Sequence, residues 1–391
     1  MIYPANFEEK IGFDRIREQV TALCSTPSAK AKLAEEGFST SADEIERRLS
    51  LMNEMRSLLM LERDFPDGDY PDPAPLVAKI RVEGSYLLAA EADQLRKALV
   101  TVGAIAEFIL GRGGARYPRL WELSRRVTLF PEIVRAIDAI LDDRGEVKDS
   151  ASPELQQVRR AIREREGQAA KRLQQVLQRA KQAGIVDADA VLSVRDGRSV
   201  IPVAAANKRK LQGFIHDESA TGRTFYVEPV EVVEINNELK ELEYAERREV
   251  VKVLSAFTES IRPDAEAIAD AGDYLSSVDM IRAKARWALA NDAGKPILST
   301  DDRLELRTAR HPLLQQTLRA QGREVVPLDL ALDRRKHILV ISGPNAGGKS
   351  VCLKTTGLMQ YLFQCGYPVP ASEVSELPVF RSIFIDIGDE Q

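Results

Sequence analysis

Residues Gly343-Pro344-Asn345-Ala346-Gly347-Gly348-Lys349-Ser350 fit the pattern G-x-x-x-x-G-K-[ST], and the apolar run Ile338-Leu339-Val340-Ile341 leads straight into them. The spacing predicts a strand, a glycine-rich turn and a helix from Ser350 through Gln364. Such a turn lets successive backbone N–H groups face an anion, and the helix that follows adds the positive end of its dipole. Lys349 would reach the β- and γ-phosphates, and the Ser350 hydroxyl would take a place on Mg²⁺. The implied nucleoside triphosphate site comprises Gly343, Pro344, Asn345, Ala346, Gly347, Gly348, Lys349, Ser350 and Val351, with Ser350 serving the metal through the nucleotide.

At 391 residues the chain exceeds one ordinary core, so several domains are expected. Its 44% hydrophobic and 29% charged residues suit a mainly helical, water-facing protein. No apolar stretch is long enough to cross a bilayer, and no basic segment followed by an apolar one opens the chain. The expected location is therefore cytoplasmic. Cys24, Cys352 and Cys365 lack metal-ligand spacing and read as reduced packing residues. A net charge of −5 gives no global attraction to nucleic acid, so any such contact needs a local basic patch.

The texture of the chain divides it. Residues 1–152 read as a helical core, with helices over Phe7–Leu23, Ser28–Leu33 (capped by Ser28), Ser41–Leu61, Pro75–Val82, Ala90–Leu110, Pro118–Val127 and Pro131–Leu141. Residues 153–190 carry Leu155, Val158, Ile162, Ala169, Leu173, Val176 and Ala180 as a narrow apolar seam on a charged helix, a coiled-coil signature. A second seam, Ile235, Leu239, Leu242, Val250, Leu254 and Phe257, falls in residues 235–294, which return to the core. The two rods can pack antiparallel, as long lever helices. Between them, residues 191–234 are turn-rich and β-branched, with turns at Asp196-Gly197 and Thr221-Gly222, and predict a small β-rich module. Residues 295–391 predict a partial α/β phosphate-loop domain, cut short after strands near Leu304–Thr308, Ile338–Ile341 and Ser382–Ile387.

The tip module carries Arg195, Arg198, Lys208, Arg209, Lys210 and Arg223 against three acids, opposite in sign to the whole chain. Two readings stand: contact with nucleic-acid phosphates, or a solvated polar turn. Phe214, Phe225 and Tyr226 suit the packing of a small sheet better than stacking on bases. His311 in Arg310-His311-Pro312 is either a shaper of the nucleotide pocket or a turn residue. His216, beside Asp217 and Glu218, lacks a third partner for acid–base work and reads as structural. Asp386 ends an apolar run, as a Mg²⁺-holding acid would, but Ile387 rather than a second acid follows it, and it comes early after Ser350.

These residues resemble the MutS family. The Pro344-Asn345 pair after the first glycine of the phosphate loop is distinctive of that family. Val200-Ile-Pro-Val203, Gly213-Phe-Ile-His-Asp-Glu-Ser-Ala-Thr-Gly222, Phe225-Tyr-Val-Glu-Pro229 and Glu234-Ile-Asn-Asn-Glu238 are similar to the second bacterial paralogue, which lacks the mismatch-reading domain. The resemblance implies a mainly α, multidomain fold: a helical core, two lever helices, a β-rich clamp at their tip and a C-terminal ATPase domain. It implies ATP and Mg²⁺ as cofactors, a homodimer, and nucleic acid as partner. The partner would be branched DNA, with suppression of recombination, or the ribosome and its RNA, with splitting of stalled ribosomes. A Smr-type endonuclease domain would follow in full-length members, and this chain would be an N-terminal fragment that does not hydrolyse ATP. The alternatives are a helical scaffold with a vestigial phosphate loop, or a mismatch-repair-type DNA damage sensor. A chromosome-maintenance type ATPase is disfavoured, because there the phosphate loop precedes the coiled coil.

Overall fold

The computed structural model describes residues 1–195, 198–344 and 348–387. Asn345, Ala346 and Gly347 of the expected phosphate site, and the expected Asp196-Gly197 turn, lie outside the described residues. The chain opens with β1 (Ile2–Tyr3), α1 (Phe7–Ile11), α2 (Phe13–Ala22), α3 (Pro27–Glu35), α4 (Ala42–Leu61) and α5 (Ala74–Ile80). It continues through α6 (Ala89–Gly111), α7 (Pro118–Ser124), α8 (Pro131–Ile140) and the long α9 (Pro153–Gln182). Strands β2 (Ser193–Arg195), β3 (Arg198–Ala204), β4 (Gly213–Glu218) and β5 (Thr224–Pro229) precede α10 (Val230–Ile261) and α11 (Ala265–Ala290). The last part holds β6 (Ile297–Leu298), β7 (Leu304–Ala309), α12 (Pro312–Ala320), β8 (Leu328–Leu332), α13 (Lys349–Gln364), β9 (Glu376–Leu377) and β10 (Ile383–Phe384). The protein is mainly α.

Local chemistry sets the helix ends. Ser41 and Ser152 cap α4 and α9 by accepting from Glu44 N and Leu155 N. The expected cap at Ser28 is corrected: Thr26 caps α3, accepting from Ala29 N at 3.0 Å, with Pro27 in the first turn. Ser28 instead donates to Asp72. The single helix expected over Phe7–Leu23 is also corrected, because Gly12 breaks it at φ 77°. A side chain at Gly12 would be strained at that φ and would meet Leu313 Cδ1 at 2.8 Å.

Two compact units result: Met1–Arg81 with Gln94–Val134 and Pro263–Gln391, and Val82–Asp93 with Arg135–Arg262. The first is built on α11, whose Ala271, Leu275, Val278, Ala283, Ala285 and Ala288 are all buried, as befits a core helix. Three charged residues, Asp279, Arg282 and Lys284, are buried with them. Asp279 and Arg282 are fully buried and bonded at 2.8 Å; Arg282 also donates to Gly68 O and Ser25 Oγ and lies over the Tyr70 ring at 3.7 Å. Asp279 in turn accepts from the Thr26 amide at 2.8 Å, tying α3 to α11.

In the second unit α9 and α10 run antiparallel: Arg159 pairs with Glu246, while Arg165, further along α9, pairs with the earlier Glu238. Leu155, Ala169, Leu173, Val176 and Ala180 of the first seam are buried, as are Leu254 and Phe257 of the second. Val158, Ile162, Ile235, Leu239, Leu242 and Val250 are half-buried, since two helices cover only one face of each other. Beyond them stands an antiparallel sheet of order β2-β3-β5-β4. Its Ile201, Val203 and Val227 pack on Leu173, Val176, Leu177 and Ala180 of α9 and on Val232 of α10. At Gly213 of β4 the neighbouring strand β5 comes so close that a Cβ would stand 2.2 Å from Glu228 O.

The C-terminal part departs from expectation in its strands. Leu304–Thr308 is a strand, as β7, in a mixed sheet of order β6-β9-β7-β8. Ile338–Ile341 is not. Among the described residues nothing pairs with it, and Ile338 and Val340 are 76% and 84% exposed. A strand needs a neighbour for its N–H and C=O groups, and apolar sequence alone does not supply one. Of Ser382–Ile387 only Ile383–Phe384 is strand, and its partner is the N-terminal β1, in parallel.

Candidate nucleotide and nucleic-acid sites

The helix that leaves the phosphate loop, α13, is held by its far half. Leu358, Met359, Leu362 and Phe363 are buried, and Tyr361 packs on Phe7, Phe13 and Phe38. The Tyr361 hydroxyl donates to Glu8 at 2.7 Å. Gln364 donates to Ser39 O and Phe380 O, so a buried amide pins the C-terminal end. The first turn is different: Ser350, Val351 and Leu353 are exposed. Rigid anchoring at one end and an open N-terminus at the other is what an anion site on a helix requires.

Gly348 precedes the helix at φ 81°, in the left-handed region, and no side chain caps the first turn. Gly343 stands at φ 155°. Lys349 Nζ donates to Gly343 O at 2.6 Å and Pro344 O at 2.7 Å, curling back over the loop. It makes no ion pair among the described residues. Of the nine expected site residues, Gly343, Pro344, Gly348, Lys349, Ser350 and Val351 are thus brought to one loop and helix start. The first turn of α13 is open to solvent, and among the described residues Lys349 Nζ bonds only to neutral carbonyls.

The remaining candidates separate. Asp386 follows β10 in a segment held to the N-terminus by Ile385 N to Tyr3 O at 3.0 Å and Lys10 Nζ to Ile387 O at 2.9 Å. His311 is the residue before α12, and its Nδ1 is buried without a hydrogen-bond partner among the described residues. Burial lowers its pKa, against a raising backbone hydrogen bond at Ile11. Burial pushes the Cys24 and Cys365 thiols up to about 12, which makes both inert packing groups.

The six tip cations do not form one patch of free charge. Arg198 is spent inside the module, donating to both oxygens of Glu228 at 2.9 Å and to Asn237 Oδ1 at 3.0 Å. Arg195 lies over the Tyr226 ring at 4.0 Å and pairs with Asp217, and Lys208 lies over Phe225 at 4.3 Å. Arg209, Lys210 and Arg223 are exposed and have no partner among the described residues. Phe225 and Tyr226 therefore serve the module through these cations, while Phe214 is 60% exposed on the edge strand β4.

Glu228 is the residue that inspection of the sequence passed over. Only 1% exposed, it accepts from Arg198 of β3, His216 Nε2 of β4 at 2.5 Å and Asn236 Nδ2 of α10 at 2.6 Å. Burial pushes its carboxyl up, but the hydrogen bonds from Asn236, His216 and Arg198 outweigh that and hold it below the usual carboxylate range. His216 has found its partner, and the partnership is structural. The available signal was that Glu228, His216 and Asn236 all fall in the segments that carried the family resemblance.

No family model matches the chain. Individual proteins do. It is 34% identical to the endonuclease MutS2 of Bacillus velezensis, over 97% of this chain and 48% of that protein. The endonuclease MutS2 of Thermomicrobium roseum is 35% identical, and the putative endonuclease MutS2 of Bacillus subtilis 33%, each over the same shares. The homologues that the chain resembles over nearly its whole length are thus named endonuclease MutS2. The chain spans about half the length of the curated MutS2 relatives it matches. Identity at this level across 97% of the chain covers both the phosphate loop and the tip module, so the resemblance does not rest on one motif. Among the described residues no helix is long and apolar enough to cross a membrane.

Proposed function

We propose that this chain is the nucleotide-sensing and gripping part of an ATP-dependent MutS2 clamp on nucleic acid. The observation that carries the reading is the open first turn of α13, with Lys349 bonded only to the carbonyls of its own loop. A bound triphosphate would exchange those carbonyls for phosphate oxygens, a stronger charge-assisted bond. In this reading 1–152 is the core, 153–190 and 235–294 are levers, 191–234 is the clamp and 295–391 is part of the ATPase domain. The exposed run Ile338–Ile341 supports it, being a strand-forming segment whose sheet would be completed by other residues of a P-loop domain. Mg²⁺ would be held by Ser350 and the nucleotide, and would offset phosphate charge.

The assembly acts as a homodimer in the cytoplasm. Its clients are branched DNA, stalled ribosomes and their RNA, or both, and the outcome is suppressed recombination or split ribosomes. The relatives' name, endonuclease MutS2, supports a nuclease activity in the intact protein, in a Smr-type domain. This chain alone binds nucleotide without turning it over.

Neutralising Arg209, Lys210 and Arg223 to glutamine tests the gripping role. The slope of log affinity against log salt for duplex nucleic acid should shrink by about 2–3, since each phosphate contact contributes roughly 0.7–0.9. An unchanged slope removes the tip from the interface.

A further inference from the structure

The C-terminal half of α9, from Gly167 to Gln182, holds Lys171, Arg172, Arg179 and Lys181 and no acid. Its neighbour α10 has the opposite balance, eight acids against four cations. Two of the α10 acids pair with the earlier part of α9, Glu246 with Arg159 and Glu238 with Arg165, while Glu243 and Glu249 pair within α10 with Lys240 and Lys252. Lys171, Arg172 and Arg179 are exposed and have no partner among the described residues. Lys181 differs, because it donates to Ala188 O at 2.7 Å.

The free cations are ordered. Lys171, Gln175, Gln178 and Gln182 follow helical steps of four and three, and so do Gln168, Arg172, Gln175 and Arg179. All are exposed, whereas Leu173, Val176, Leu177 and Ala180 on the other side carry the packing. This face therefore contributes to neither the helix pair nor the sheet. Asn207 Nδ2 donates to Ile185 O at 3.0 Å, which sets the loop bearing Lys208, Arg209 and Lys210 beside the end of α9.

We propose that the solvent face of α9, together with Arg209 and Lys210, is a track for a nucleic-acid backbone. Cations would meet phosphates, and the glutamine amides would meet phosphate and sugar oxygens, which positions a duplex without reading its bases. From Gln168 to Gln182 the track runs about 20 Å along the helix, room for several phosphates. A membrane surface is the wrong partner, because the exposed face presents no large apolar side chain to enter it. The inference rests on the nucleic-acid reading above and extends it from the tip onto the helix.

The test is Lys171→Gln, Arg172→Gln and Arg179→Gln together in the intact protein, titrated with a 30-base-pair DNA duplex and an RNA duplex of the same length. Glutamine keeps helix propensity, so the melting temperature should not move. For whichever duplex binds, the salt slope should fall by about 2–3 and affinity near 0.15 M salt by about tenfold or more, in any sequence. The charge-keeping triple Lys171→Arg, Arg172→Lys and Arg179→Lys should retain the slope; a loss there as well would overturn the proposal. If the tip variant at Arg209, Lys210 and Arg223 loses slope and the α9 variant does not, the track falls and the tip reading stands. If neither duplex binds the unaltered protein, or neither variant shifts the slope, both fall.

Discussion

Lys349→Ala is expected to weaken nucleotide binding by about 10- to 100-fold. In the proposed site the lysine would supply the loop's one positive charge to the phosphates, and hydrogen bonds to charged groups are worth about 1.5–3 kcal/mol each. The fold should not change, because in the structure Nζ bonds only to Gly343 O and Pro344 O on an exposed loop. Titration of a fluorescent ATP analogue, with thermal melting as the control, reads both. Equal affinity in the variant would favour a helical scaffold whose phosphate loop has lost its role.

Asp279→Ala should destabilise the unit built on α11 by about 3–5 kcal/mol, the range for breaking a buried ion pair from one side. The change leaves the Arg282 guanidinium, which has no solvent exposure, with the partly exposed Asp67 as its carboxylate partner among the described residues, and removes the acceptor of the Thr26 amide. Arg282 keeps Gly68 O, Ser25 Oγ and Asp67 Oδ1 at 3.3 Å, but Asp67 is partly exposed and also pairs with Arg286, so it does not replace a carboxylate inside the core. Urea unfolding followed by tryptophan fluorescence is the measurement, since Trp287 lies on the same helix. A loss below about 1 kcal/mol would mean that water reaches Arg282, contrary to the packing seen here.

What the sequence disclosed was mostly local. Caps at Ser41 and Ser152 are one hydrogen bond three residues long, and a serine ahead of a helical pattern is enough to place them. The apolar seams of α9 and α10 were legible because a rod with one covered face must repeat every three or four residues. The start of α13 was legible because the glycine-rich run ends at Gly348, which stands at φ 81° just before the helix. Non-local chemistry was hidden. Ile338–Ile341 has strand composition, yet pairing depends on a neighbour that composition does not reveal. The role of Glu228 depends on Arg198, His216 and Asn236 arriving from three other elements. For the same reason Arg198, a candidate contact from charge alone, proved to be an internal ligand of Glu228.

Nucleotide control of grip is the claim on which the rest depends. The rate at which a fluorescent nucleic-acid duplex leaves the intact protein should be measured with and without a non-hydrolysable ATP analogue. Coupling between two sites is typically about 1–3 kcal/mol, so the rate should change by at least about fivefold with analogue, and not at all in Lys349→Ala. Identical rates with and without analogue, at saturating nucleotide, would contradict the account.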